Sequence, residues 1–179
     1  MKIFLIFLVI IIIFIVVYLS LSLIITYIFL APYVPTKKRD LKRIFKLADL
    51  KPGEVFYDLG CGTGNLVIYA AKNFQAQAIG VEMVFPLFLI CKIKQLFCQR
   101  KTIIFKFKNL YKENLSKAEV IYFFGLPETI NTKLKEKLEK EVKPGSRIIS
   151  YVFKIKDWQP EVIDKPRQKD LPIYLYIKS

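Results

Sequence analysis

Histidine is absent from all 179 residues, and cysteine occurs three times, as Cys61, Cys91 and Cys98, with no CxxC pair. The usual Cys/His zinc sites are thereby excluded, and so is catalysis of the Ser-His-Asp or Cys-His kind. Any chemistry here runs without an imidazole base, and no metal is expected. Tryptophan is single, Trp158, and glycine is scarce. Of the seven glycines, however, three stand at every second position, Gly60, Gly62 and Gly64. Charge is missing altogether from residues 3–30, where Ser20, Ser22 and Thr26 alone interrupt aliphatic and aromatic side chains. All 15 acidic residues follow that stretch.

The uncharged run explains much of the 54% hydrophobic content. As a helix it would reach about 42 Å, more than the roughly 30 Å of a hydrocarbon core. A cleaved signal peptide is the competing reading, but its apolar region spans about 7–15 residues and ends at small residues. This run is about twice as long, and Leu30-Ala31-Pro32-Tyr33 makes a poor cleavage site. The expected organisation is an anchor helix over 1–31 and one domain over 32–179. Lys2 alone precedes the span, whereas Lys37, Lys38, Arg39, Lys42, Arg43 and Lys46 follow it. That asymmetry predicts a single-pass membrane protein with its domain on the cytoplasmic side. The net charge of +14 would suit nucleic acid or anionic lipid. No nucleic-acid-reading motif is present and the basic residues are dispersed, so the membrane is the favoured partner.

Pro32-Tyr-Val-Pro35-Thr36 is the joint, because two prolines break the helix. Thr36 is placed to cap a new helix in which Leu41, Ile44, Phe45 and Ala48 recur at helical spacing. Strands are expected at 55–59, 76–82, 103–108, 120–124 and 147–153, with helices at 66–73, 84–100 and 127–141 between them. Two more strands, 158–163 and 172–177, end the chain. Such alternation predicts an α/β fold, a mostly parallel sheet with helices on both faces and an antiparallel C-terminal edge hairpin. The 84–100 helix is apolar around more than half its circumference. Core packing fits that pattern, and so does a face touching lipid, the anchor or a second copy.

Strand 55–59 runs into Asp58-Leu-Gly60-Cys-Gly62-Thr-Gly64-Asn65 and then straight into a helix. Glycines permit a sharp turn and close backbone approach, and a helix N-terminus suits an anionic group. The spacing is G-x-G-x-G, however, not the dinucleotide G-x-G-x-x-G. Asp58 beside the turn would repel a pyrophosphate. It suits a ligand with an ammonium and a sulfonium, the two cations of S-adenosyl-L-methionine. Glu82, 22 residues after Gly60, ends the next strand and could hold a ribose diol in either ligand.

The Asp58-to-Gly64 segment resembles the first motif of class I S-adenosylmethionine-dependent methyltransferases, and the order of elements fits that Rossmann-like class over 32–179. A narrower likeness rests on Pro32-Tyr-Val-Pro-Thr36, Lys51-Pro-Gly-Glu54, Tyr57-Asp-Leu-Gly60, Leu126-Pro-Glu128, Val142-Lys-Pro-Gly145, Ile149-Ser150 and Ile173-Tyr-Leu-Tyr176. It resembles the small membrane-anchored protein-lysine methyltransferases of mitochondria and their prokaryotic relatives, which act on the adenine nucleotide translocase and the ATP synthase c-subunit. The resemblance implies that Asp58, Gly60, Gly62 and Gly64 line the methionine and ribose part of the cofactor and that Glu82 holds the ribose. Asn109 stands where the family usually carries an aspartate that meets the adenine amino group. Its amide oxygen can accept the same hydrogen bond, with weaker affinity.

Methyl transfer from a sulfonium is an in-line displacement in which the protein mainly aligns the partners and excludes water. Tyr33, Thr36, Ser150 and Tyr151 are the candidates for the acceptor channel, together with the 124–127 loop, which lacks the Asp/Asn-Pro-Pro-aromatic pattern of amide- and adenine-methylating enzymes. The expected activity is methylation of a lysine in a membrane protein. Two rivals stand beside it: methylation of a lipid or other membrane-soluble molecule, and a non-catalytic cofactor-binding protein.

Overall fold

The structure, a computed structural model, describes residues 2–29 and 36–179. Helix α1 (Lys2–Phe29) carries the uncharged run, and by length and composition it is apolar enough to cross a membrane. The domain begins with α2 (Lys38–Ala48) and continues with β1 (Val55–Leu59), α3 (Asn65–Phe74), β2 (Gln77–Glu82), α4 (Phe85–Cys98), β3 (Ile103–Phe107) and β4 (Val120–Phe124). After β4 come α5 (Pro127–Thr129), a π turn (Ile130–Leu134), α6 (Lys135–Glu141), β5 (Arg147–Tyr151), β6 (Val162–Asp164) and β7 (Ile173–Ile177). Among the described residues the strands form one seven-stranded sheet in the order β3-β2-β1-β4-β5-β7-β6. Neighbours from β3 through β5 pair in parallel. β7 inserts antiparallel between β5 and β6, which makes the predicted edge hairpin.

Strand residues alternate between two cores, as the period of two requires. One face presents Phe56, Ala78, Ile103, Phe105 and Tyr122 to α2, α3 and the Cys91 side of α4. The other presents Tyr57, Leu59, Ile79, Ile121 and Phe123 to Ile130, Leu134 and Leu138. α2 is pinned to the far edge of the sheet as well. Arg43 donates to Asp40 Oδ1 at 2.9 Å and to Asp164 Oδ1 at 2.9 Å, and to the carbonyl of Leu171 at 3.0 Å. The first helix of the domain thereby ties the C-terminal hairpin to it.

The structure departs from the sequence expectations at four places. Thr36 does not cap α2; Lys37 occupies that position with no side-chain cap, and the Thr36 hydroxyl lies 3.3 Å from the Tyr122 hydroxyl instead. The expected 127–141 helix is interrupted by the π turn. There Thr132 donates to the carbonyl of Glu128 at 2.9 Å, the kind of back-bonding that bends helices. β5 stops at Tyr151, because Val152 has φ +75, a conformation that costs a β-branched residue roughly 1–3 kcal/mol. The strand expected at 158–163 forms only over Val162–Asp164, since Pro160 has no amide to give a ladder.

Candidate active site

Strand order reverses between β1 and β4, and ligands of such sheets sit outside the carboxyl ends of the strands at that point. Asp58 of β1 and Tyr122 of β4 are direct register partners there. Beyond Asp58 the chain turns through Gly60, Gly62 and Gly64, all at positive φ. The amides of Gly60 and Cys61 donate to the carbonyl of Val81 at 2.9 and 3.1 Å, and Gly64 closes the turn onto the carbonyl of Cys61 at 2.8 Å. Gly64 is demanded by internal packing: a Cβ there would lie 2.6 Å from the Phe105 ring. The glycine loop is therefore clamped down on β3 before any ligand is considered.

Glu82 organises the other half of the cradle. Its Oε1 accepts from the amides of Met83 and Val84, each at 2.8 Å, and its Oε2 accepts from Gly62 at 2.8 Å. Burial raises the pKa of this carboxyl, and the three amides oppose the rise. Two donors occupy Oε1, so Oε2 keeps the free lone pair for a hydroxyl.

Asp58 differs. It is buried, and its Oδ2 finds no hydrogen-bond partner among the described residues. Burial, then the Glu82 charge, push its pKa well above the ordinary 3.8. A buried, unpartnered carboxylate beside a second carboxylate calls for a cation. The residues thus fit a cationic, ribose-bearing ligand: an orphaned acid, one hydroxyl acceptor and a clamped glycine turn.

On the β4–β5 side of this point the wall is aromatic. Tyr122 and Tyr151 lie with ring centroids 6.4 Å apart, Phe124 meets Tyr151 edge-on at 6.0 Å, and Phe153 stacks on Phe124 at 6.2 Å. The strained turn at Val152 is what swings Phe153 back over Phe124. Both phenols are fixed by the start of the domain. Tyr151 donates to Asp40 Oδ2 at 2.8 Å, and Tyr122 shares its bond with Thr36. Burial first and a nearby carboxylate second, Asp58 for Tyr122 and Asp40 for Tyr151, raise both pKa values, so the rings stay neutral.

The structure therefore brings Thr36 and Tyr151 together around Tyr122, beside Asp58. Ser150 lies elsewhere: it alternates onto the opposite face of β5, is buried, and donates its hydroxyl to the carbonyl of Phe153. Tyr33 lies outside the described residues. Asn109 follows β3 and caps a short 3-10 turn, its Oδ1 accepting from the Tyr111 amide at 3.0 Å. One lone pair of that oxygen and the Nδ2 group remain available. Tyr122 and Asp40 were not singled out from sequence. Tyr122 sits inside Val120-Ile-Tyr-Phe-Phe124, which reads as core strand, and only the register with Asp58 marks it. Asp40 gave a signal, as the first acid of the chain amid a basic helix.

An open α/β sheet of this order with a clamped glycine turn and paired acids at its switch point is the cofactor end of an S-adenosylmethionine-dependent methyltransferase. An RNA methyltransferase from Salinibacter ruber, solved with S-adenosyl-L-homocysteine, superposes with a TM-score of 0.75 at 29% identity, over 80% of this chain and 93% of that one. The sequence model of the ANTKMT methyltransferase domain matches residues 58–162. A protein-lysine N-methyltransferase of Saccharolobus islandicus is 34% identical over 85% of this chain and 96% of its own length. The adenine nucleotide translocase lysine N-methyltransferase of Mus musculus is 27% identical over 74% of this chain, which spans 57% of that protein. The chain belongs to the ANTKMT methyltransferase family, and S-adenosyl-L-methionine is its cofactor.

Proposed function

We propose that this methyltransferase modifies a lysine side chain of a membrane protein, working from an anchor over 1–31 with its domain, 32–179, on the cytoplasmic side. The carrying observation is the half-buried pair Phe124 and Phe153, backed by the buried Tyr122 and Tyr151, beside the orphaned Asp58. A flat apolar ring pair accepts the methylene stem of a lysine. The same wall strips water from the amine, which favours the neutral, nucleophilic form. The relatives that share the family are lysine methyltransferases by name, which supports the assignment. The long apolar α1 and the cluster of basic residues after it support the anchor and its orientation.

Bound at the switch point, the cofactor supplies an activated methyl group. Asp58 would answer its positive charge, Gly60, Gly62 and Gly64 would form the turn that holds it, Glu82 would offer Oε2 to a ribose hydroxyl, and Asn109 would offer its amide to the adenine. Thr36, against the buried Tyr122 and Tyr151 phenols, helps position the incoming amine. Ser150 serves this wall indirectly, by holding the turn that carries Phe153.

The test is transfer of labelled methyl from S-adenosyl-L-methionine by the full chain in its membrane, with label followed into protein, extracted lipid and RNA. Acid-stable label on lysine in the membrane-protein fraction is the expected result. Label confined to the organic phase would assign a lipid acceptor, and label confined to RNA a nucleic-acid acceptor. Cofactor binding without transfer to any fraction would assign a non-catalytic role.

A further inference from the structure

The helix α4 turns its greasy side outward. Phe85, Leu89, Ile90, Ile93, Leu96 and Phe97 are all exposed, Leu96 at 75% and Phe97 at 83%. At 100° per residue they occupy a continuous arc of about 140° along the whole helix. Lys92 stands at one margin of that arc and Lys94 at the other. The inward side is held by Cys91, whose thiol donates to the carbonyl of Gly62 at 3.1 Å, and by Phe88. The apolar surface continues onto the sheet edge, where exposed Phe107 of β3 meets the Phe85 ring at 5.5 Å and the Phe88 ring at 5.4 Å.

We propose that this face is a second membrane contact, distinct from α1, and that it lies flat on an anionic bilayer. Its chemistry is that of an interfacial helix: a broad apolar stripe for the acyl boundary and cations on both margins for headgroup phosphates. The charge of the surrounding segment is one-sided. Residues 83–112 hold seven basic residues and no acidic one. Lys92, Lys94, Arg100 and Lys101 have no carboxylate partner among the described residues. A second copy on the same face would bring lysine margins against lysine margins with no acid to meet them. Anionic lipid answers both the apolar and the charged parts of the surface. Position adds a consequence. α4 starts three residues after Glu82, so a bilayer under α4 sets the mouth of the site at the membrane surface. The docking face stands on these observations and is read without any methyl transfer, so it is tested separately from the acceptor.

The full chain, carrying Leu96→Trp in a Trp158→Phe background, is reconstituted in vesicles of phosphatidylcholine with brominated acyl chains, with and without phosphatidylglycerol. Leu96 is exposed, so the substitution spares the core, and Phe97→Trp is the second reporter. The expected result is bromine quenching of the introduced indole several-fold above that of Trp158 in the unaltered chain, increasing with phosphatidylglycerol. Lys92→Glu together with Lys101→Glu is expected to remove the increase. Quenching no greater than that of Trp158, or quenching indifferent to phosphatidylglycerol, overturns the proposal. So does emission that responds to protein concentration but not to bromolipid, which would give the face to a second copy.

Discussion

Asp58 is the residue on which folding and function pull in opposite directions. Its carboxyl is buried and raised in pKa, first by burial and then by Glu82. A carboxyl whose folded pKa exceeds its unfolded value keeps its proton in the folded state after the unfolded chain has released it. Stability of the unliganded protein is therefore greatest below the ordinary 3.8 and falls as pH rises from there towards the raised value. A cationic ligand reverses the balance, since it favours the ionised form, so cofactor affinity should rise over the same interval. Asp58→Asn keeps the shape and removes the titration. Its unliganded form is expected to lose this part of the decline in stability with pH, measured by urea unfolding across a pH series. Its cofactor affinity should drop about 10- to 100-fold, the equivalent of one charge-assisted hydrogen bond. Binding by calorimetry at pH 8 that matches the unaltered chain would remove Asp58 from the cofactor site. The role of this residue was legible in sequence because acid, glycine turn and helix are contiguous. Tyr122 was not: its place beside Asp58 depends on β4 lying next to β1, which a linear reading cannot supply.

Among elements, the parallel core was readable because each strand is a short apolar run and each crossover a separate periodic segment. Three of the four misreadings share a cause: a local bond or strain overrode a propensity, whereas Pro160 shortened the fourth segment, 158–163. Thr132 bends the 127–141 helix from within, and Thr36 finds a phenol in place of a cap. The end of β5 is the sharpest case, because the strand expected to continue to 153 stops at Tyr151 and Val152 takes a left-handed turn. Ordinarily glycine is less stable than alanine inside an element by about 0.5–1 kcal/mol. At φ +75 the order should invert, because the left-handed region costs a residue with a Cβ roughly 1–2 kcal/mol. Val152→Gly is therefore expected to unfold at higher urea than Val152→Ala, by the equivalent of about 1 kcal/mol. Both variants lose the valine methyl groups, so the comparison isolates the backbone. If alanine proves the more stable of the two, the turn is not strained. Methyl transfer should fall in the glycine variant even so, since a looser turn no longer holds Phe153 against Phe124.

At the scale of the whole molecule, apolar surface and basic charge recur together. A helix whose single charge is Lys2 leads, basic residues follow it in the sequence, and α4 offers a lysine-edged apolar face on the domain itself. Two contacts of this kind would hold the cofactor cleft at a fixed height and restrict the search for an acceptor to two dimensions. Co-localisation of that sort raises the effective concentration of an acceptor in the same membrane, and linked binding can gain about 10²–10⁴ with no new contact at the site. The prediction is specific to geometry. A lysine-bearing segment embedded in the same vesicle as the full chain should be methylated at least about 10²-fold faster than the same segment supplied as a soluble peptide at equal bulk concentration. The embedded segment placed in separate vesicles should be as slow as the peptide. Rising salt screens surface charges, so it should narrow the gap in part by loosening α4, while an anchor formed by α1 would keep the remainder through apolar burial. Initial rates of label incorporation decide it. Equal rates for embedded and soluble acceptors would mean that the cleft does not depend on the membrane to find its substrate, and that the apolar helices serve placement of the enzyme alone.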